Sequence, residues 1–149
     1  MNLGNHSKVN LALSERTELE IAFFDVDSMR IVWHGNYIKY LEIARCRLLD
    51  KLGYNYLDME EEGLIWPVID MRIKYIKPIH FKQVILIDAS VVEYENRLKI
   101  QYVIYDKETL DKLTKAYSIQ VAVNHKTSQM YYQSPKHIID KFNQLKESV

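Results

Sequence analysis

Cysteine, glycine and proline are scarce in this chain, and net charge is missing altogether. The single cysteine, Cys46, excludes an internal disulfide and offers no spacing for a zinc site, which fits a reducing compartment. Four glycines and three prolines leave few places for tight turns, so long strands are expected. Twenty basic side chains balance twenty acidic ones, so no overall field argues for nucleic acid, a polybasic membrane contact or an acidic partner. An anionic ligand has to be caught by local features. No apolar run approaches the ~20 residues that span a bilayer, and Met1 to Arg16 hold no uninterrupted apolar block of the kind a signal peptide needs. The expectation is a cytoplasmic protein with neither leader nor membrane span, whose 149 residues suit one domain.

What the chain has in quantity is tyrosine, eleven of them, together with Ile and Val. Residues 1–16 show no periodicity and read as a tail, and residues 17–149 read as one domain. From Leu19 an alternation begins, with Leu19, Ile21 and Phe23 on one face, and it predicts a strand running into Asp25 and Asp27. Between Asn36 and Leu52 the period becomes helical, and Tyr37, Tyr40, Leu41, Ala44, Leu48 and Leu52 make one apolar stripe. Asn36 is an acceptable N-cap, and Gly53 suits the left-handed position that closes a helix. Four strand-like segments follow, about 64–76, 84–93, 98–105 and 113–123, the last three forming an antiparallel meander. Ser134-Pro135 then predicts an N-cap and first turn for a short surface helix carrying Ile138, Ile139, Phe142 and Leu145. One long helix among antiparallel strands implies an α+β domain whose sheet curls around that helix, since nothing else covers the stripe. A sheet covered on one side points to a homodimer.

Chemistry concentrates in Phe24-Asp25-Val26-Asp27-Ser28-Met29-Arg30-Ile31-Val32-Trp33-His34-Gly35-Asn36-Tyr37. Two carboxylates, an arginine, a histidine and an asparagine meet in one connection, and the start of a helix offers free backbone N–H groups to an anion or a developing oxyanion. The plain alternative is that Asp, Asn and Gly before a helix are turn formers and caps, and Asp25 fits that reading well. No second histidine or carboxylate stands at metal-ligand spacing from His34, so no metal is expected. Ser28 lacks the glycines of a nucleophile elbow. Cys46 lies off the helix stripe with no activating partner and reads as an unreactive thiol.

This segment resembles the 4-hydroxybenzoyl-CoA thioesterase family, hotdog-fold acyl-CoA hydrolases with an aspartate before the central helix. Asp25, Asp27, Val32, Trp33, His34 and Tyr37 match its signature, followed by Glu42 and Ala44-Arg45 on the helix. Tyr75-Ile76-Lys77-Pro78 and the element order extend the likeness from about Glu18 to Asn124. The resemblance implies a hotdog fold and hydrolysis of an acyl-CoA or acyl-carrier-protein thioester. Asp27 would be nucleophile or general base, the amides near His34 and Gly35 would polarise the carbonyl, and the His34 side chain would orient thioester or water. Trp33, Tyr37 and Trp66 are either core aromatics or, as the resemblance implies for residues near the strand-helix junction, lining of the acyl pocket. Lys74, Lys77, His80 and Lys82 are solvated edge residues or contacts for coenzyme A phosphates. No cofactor is implied beyond the coenzyme A of the substrate, and sites near a subunit interface of a homodimer or homotetramer are. One position departs: Arg30 stands where the family carries glycine, narrowing the pocket or reaching a carboxylate or phosphate. Two rival readings keep the fold. One is a 3-hydroxyacyl dehydratase, disfavoured because the aspartate precedes the helix and the histidine follows by seven residues. The other is a non-catalytic dimeric module binding an acyl ligand or a protein.

Overall fold

The computed structural model describes residues 9–148. The helical stripe read from the sequence is the spine of the molecule: α1 (Tyr37–Leu52) buries Tyr37, Tyr40, Leu41, Ala44, Leu48 and Leu52, none more than 2% exposed. Each such apolar side chain stabilises the fold by roughly 1.5–3 kcal/mol when fully removed from water. Gly53 ends the helix in the left-handed conformation, φ 72°, its N–H returning to the Asp50 and Leu49 carbonyls.

Around α1 runs an antiparallel sheet of β1 (Ser14–Glu20), β3 (Val68–Tyr75), β4 (Val84–Glu93), β5 (Leu98–Asp106) and β6 (Lys112–Gln120), in the order β1-β4-β5-β6-β3. The β4-β5-β6 meander is as expected. Its inner face presents Ile85, Ile87, Ala89 and Val91 from β4 and Ile100, Tyr102 and Ile104 from β5, all nearly free of solvent. β2 (Leu64–Ile65) pairs with β7 (Val123–Asn124) in a small second sheet. This is the hotdog arrangement, a sheet wrapped on one long helix. None of the described helices is long and apolar enough to cross a membrane.

Several local expectations change. β1 begins at Ser14, so residues 14–16 belong to the sheet and not to a tail, and it ends at Glu20. Phe23 leaves the Leu19–Ile21 face and is 73% exposed, because Phe23–Asp25 forms a 3-10 turn. The segment 64–76 is broken between β2 and β3 at Trp66-Pro67, where proline has no N–H for a ladder. A helix absent from the sequence reading, α2 (Tyr56–Glu61), is opened by a capping box in which Asn55 and Asp58 exchange bonds. The final helix, α3 (Lys136–Glu147), is capped by Pro135, not Ser134, and the Ser134 hydroxyl finds no partner among the described residues. It is also more than a surface element, since Ile138 and Phe142 are buried and Phe142 meets Tyr94 edge-on at 5.3 Å.

Candidate active site

Asp27 sits at the tip of a hairpin, not at the end of a strand. Val26 pairs with Val32, and the returning arm is tied down by the Ile31–His80 bridge and by bonds from the Val32 N–H to the Ile79 carbonyl and from the Phe81 N–H to the Arg30 carbonyl. Within the turn the Asp27 N–H donates to the Ile31 carbonyl and the Arg30 N–H donates to the Asp27 carbonyl, each at 2.9 Å. Asp27 Oδ1 accepts the amides of Met29 at 2.8 Å and Ile31 at 3.4 Å. The carboxylate is therefore a turn former, as the plain reading has it. Its Oδ2, however, has no bond from any described residue, and the side chain is exposed. Arg30 closes the turn at φ 62°, a left-handed conformation in which a Cβ crowds the backbone.

Asp25, two residues earlier, has the opposite surroundings. It is 5% exposed, its Oδ2 accepts the Tyr40 hydroxyl at 2.9 Å, and Lys39 Nζ donates to its Oδ1. Burial, reinforced by the bond to Asp25, pushes the Tyr40 hydroxyl pKa well above the ordinary tyrosine value. The Asp25 carbonyl accepts the Trp33 N–H at 3.1 Å and Asn36 Nδ2 at 2.8 Å. This corrects the role of Asn36: its side chain makes no cap bond but ties the helix start to the hairpin base. Both functions of Asp25 fix the base of the hairpin that carries Asp27 against the beginning of α1.

A 3-10 turn, His34–Asn36, leads into the helix. Neither the His34 nor the Gly35 amide donates to an acceptor among the described residues, while the His34 carbonyl accepts the Tyr75 hydroxyl at 3.2 Å. Free N–H donors at a helix start can stabilise a negative oxygen. Gly35 lets the Trp33 ring lie over the helix start: a Cβ there would lie 2.2 Å from that ring, which also tilts against His34 at 5.0 Å. Tyr37 is core, 2% exposed, with its hydroxyl pKa raised by burial and then by Tyr75.

Asp27 and Arg30 thus stand on the hairpin, to which His80 is bridged, while Trp33, His34, Gly35 and Tyr37 form the helix start. Tyr75, which meets Tyr37 edge-on at 4.7 Å, joins them and was not singled out in the sequence; its place in the Tyr-Ile-Lys-Pro segment was the available signal. Two candidates lie apart. The Lys77 ammonium is engaged by Asp111 at 3.1 Å. Trp66 is 5% exposed and donates its indole N–H to the Tyr54 hydroxyl at 3.0 Å. It lines a groove of about 530 Å³ with Tyr56, Met59, Leu64, Ile65 and Pro67, and Asp27 is not in that lining. The Cys46 thiol has its pKa raised by burial and then by Glu42. No group of three or more His, Cys, Asp or Glu side chains gathers to hold a metal among the described residues.

Comparison with known proteins places the chain in a family. The Thioesterase superfamily model matches residues 29–111, beginning just past Asp27. YneP of Bacillus subtilis (strain 168), provisionally named an acyl-CoA thioesterase, is 36% identical over 87 residues, which are 58% of this chain and 62% of YneP. The chain therefore matches less than two thirds of that relative's length. The solved structure of a DHNA-CoA thioesterase from Staphylococcus aureus superimposes with a TM-score of 0.78 at 26% identity, covering 91% of this chain and 89% of that one. An aspartate-to-asparagine variant of 4-hydroxybenzoyl-CoA thioesterase, solved with 4-hydroxybenzoyl-CoA, shares the fold with a TM-score of 0.76 at 18% identity, over 87% of this chain and 98% of that one. With the family model covering more than half of its length, the chain belongs to the Thioesterase superfamily.

Proposed function

We propose that the protein hydrolyses acyl thioesters of coenzyme A, or of an acyl-carrier protein, with Asp27 as the reacting carboxylate. The observation that carries the reading is a turn-held carboxylate, one oxygen uncommitted, on the same short connection that leads into two unengaged amides at the start of α1. A thioester carries a good thiolate leaving group, so a carboxylate and well-aimed N–H donors suffice and no Ser-His-Asp triad is needed. Asp27 Oδ2 attacks the carbonyl carbon, or takes a proton from the water that does. The carbonyl oxygen gains negative charge facing the His34 and Gly35 amides, the C–S bond breaks, and the thiolate leaves and takes a proton. On the direct route water then opens the mixed anhydride left on Asp27, releasing the acid and restoring the carboxylate, and on the other route the attacking water has already given the acid. The names of YneP and of the Staphylococcus protein support this electrophile class.

The working unit we propose is a dimer joined along β3. That strand is a free edge of the sheet and exposes Val68, Ile69, Tyr75 and, just beyond it, Ile76, each between 40% and 58%; such an edge invites a second strand. Antiparallel self-pairing would set the Val68 end of one chain beside the Tyr75 end of the other, and so the Trp66 groove of one beside the His34 amides of the other.

The test is thiol release from short, long and aromatic acyl-CoA esters by wild type and by Asp27→Asn. Asparagine keeps an oxygen for the Met29 and Ile31 amides, so the turn survives while the charge is lost. We expect turnover by wild type and a loss of about a hundredfold or more in the variant, with Tm unchanged. Equal turnover by both would remove Asp27 from the chemistry.

A further inference from the structure

We propose that the outer face of the sheet, opposite α1, holds an anion site for a ligand bearing two or more phosphate groups, formed by Arg72, Lys74, Lys99 and Lys115. Strand alternation and register put these side chains on one face. Lys74 lies opposite Lys115, and Arg72 opposite Tyr117; Gln101 is the partner of Tyr117 across β5 and β6. The intervening Thr114 and Ala116 point inward and are buried, at 0% and 8% exposure. Lys99 Nζ stands 4.7 Å from the centre of the Tyr117 ring. Together the four cations, Gln101 and Tyr117 line a depression of about 380 Å³.

Three features separate this cluster from ordinary edge lysines. Lys74 and Lys115 are directly opposed like charges, an arrangement that destabilises a sheet. None of the four takes part in an ion pair among the described residues, which is also true of isolated lysines such as Lys82 and Lys112, but here the four unpaired cations line one depression together. The chain has as many acids as bases, yet among the described residues the acids nearest the cluster are otherwise engaged: Glu93, the register partner of Lys99, is bonded to Arg97, and Asp70 Oδ2 accepts the Tyr117 hydroxyl at a long 3.5 Å. A protein of zero net charge that concentrates unneutralised cations in a concave spot is built to receive an anion there. The depression favours a compact polyvalent anion over a flat bilayer or an acidic helix, and charge-assisted bonds to phosphate oxygens are what Arg and Lys supply best. The inference stands apart from thioester hydrolysis.

The experiment is calorimetric titration of the whole chain with inorganic pyrophosphate and with adenosine 3′,5′-bisphosphate, the latter mimicking the nucleotide end of coenzyme A. Wild type, Lys74→Gln/Lys115→Gln and the distant control Lys126→Gln are compared. The expected result is saturable binding by wild type that weakens as salt is raised, about tenfold or greater weakening in the double variant, and no change in the control. The Tm of the unliganded double variant should equal or exceed that of wild type, since a like-charge opposition is relieved. Tighter binding of the nucleotide assigns the site to a coenzyme-type ligand, and equal binding to a bare oligophosphate. Absence of saturable binding to both probes, equal binding by the double variant, or capture of anionic vesicles without either probe overturns the proposal.

Discussion

Replacing Arg30 by glycine should make the protein more stable, and the size of the gain follows from one dihedral angle. Arg30 holds φ 62° because its N–H closes on the Asp27 carbonyl at 2.9 Å while its own carbonyl accepts the Phe81 N–H at 3.1 Å. Both bonds are backbone bonds, so glycine keeps them. The left-handed conformation costs a residue with a Cβ about 1–2 kcal/mol, and glycine gives back roughly 0.5–1 kcal/mol through its greater freedom in the unfolded chain. The net gain is about 0.5–1 kcal/mol, which for a domain of this size raises Tm by roughly 1–4 °C. Arg30→Ala is the control, since it removes the guanidinium but keeps the Cβ and the strain. Thermal unfolding of the three proteins decides the matter. If alanine stabilises as much as glycine, the guanidinium and not the backbone is responsible; if glycine destabilises, the account of the turn is wrong.

Gly35→Ala should fold but push the Trp33 ring out of its place over the helix start, because the new Cβ would lie 2.2 Å from it; a changed tryptophan emission together with a raised KM checks this. Asp25→Ala should lose about 2–3 kcal/mol in urea unfolding, because the Tyr40 hydroxyl, on a residue 1% exposed, is left without its acceptor and Lys39 without its anion. Cys46 should react with iodoacetamide more slowly than a free cysteine at neutral pH and should gain speed only at a higher pH, since burial and Glu42 raise the thiol pKa; a free-thiol rate at pH 7 would refute that.

The long periodic elements were legible in the sequence because their signals repeat. Six apolar positions define α1, and β5 alternates through Leu98, Ile100, Tyr102 and Ile104, so no single side chain decides the outcome. The connections were less legible because each depends on a few hydrogen bonds. The strand expected through Phe23 stops where Phe23–Asp25 turns, and the six-residue α2 rests on the reciprocal Asn55–Asp58 cap. Asn36 has the right residue type for a cap, yet its amide is drawn eleven residues back to the Asp25 carbonyl, a contact that no local pattern announces.

The two aspartates show where function departs from pattern. In the sequence Asp25 and Asp27 are two carboxylates of one turn-forming connection, two residues apart, and it was the resemblance that gave Asp27 the reactive role. In the fold a 3-10 turn aims Asp25 at the first turn of α1, where Lys39 and Tyr40 take up both of its oxygens. The hairpin then carries Asp27 clear of that helix, with the Met29 and Ile31 amides holding one oxygen and nothing among the described residues holding the other. A buried carboxylate with every acceptor engaged is poor at attacking a carbonyl carbon and good at fixing geometry. An exposed one anchored through a single oxygen keeps a lone pair for reaction at a defined place. Asp25 therefore supplies the position and Asp27 the reactivity, which is why loss of the first should be read in the unfolding curve and loss of the second in the turnover.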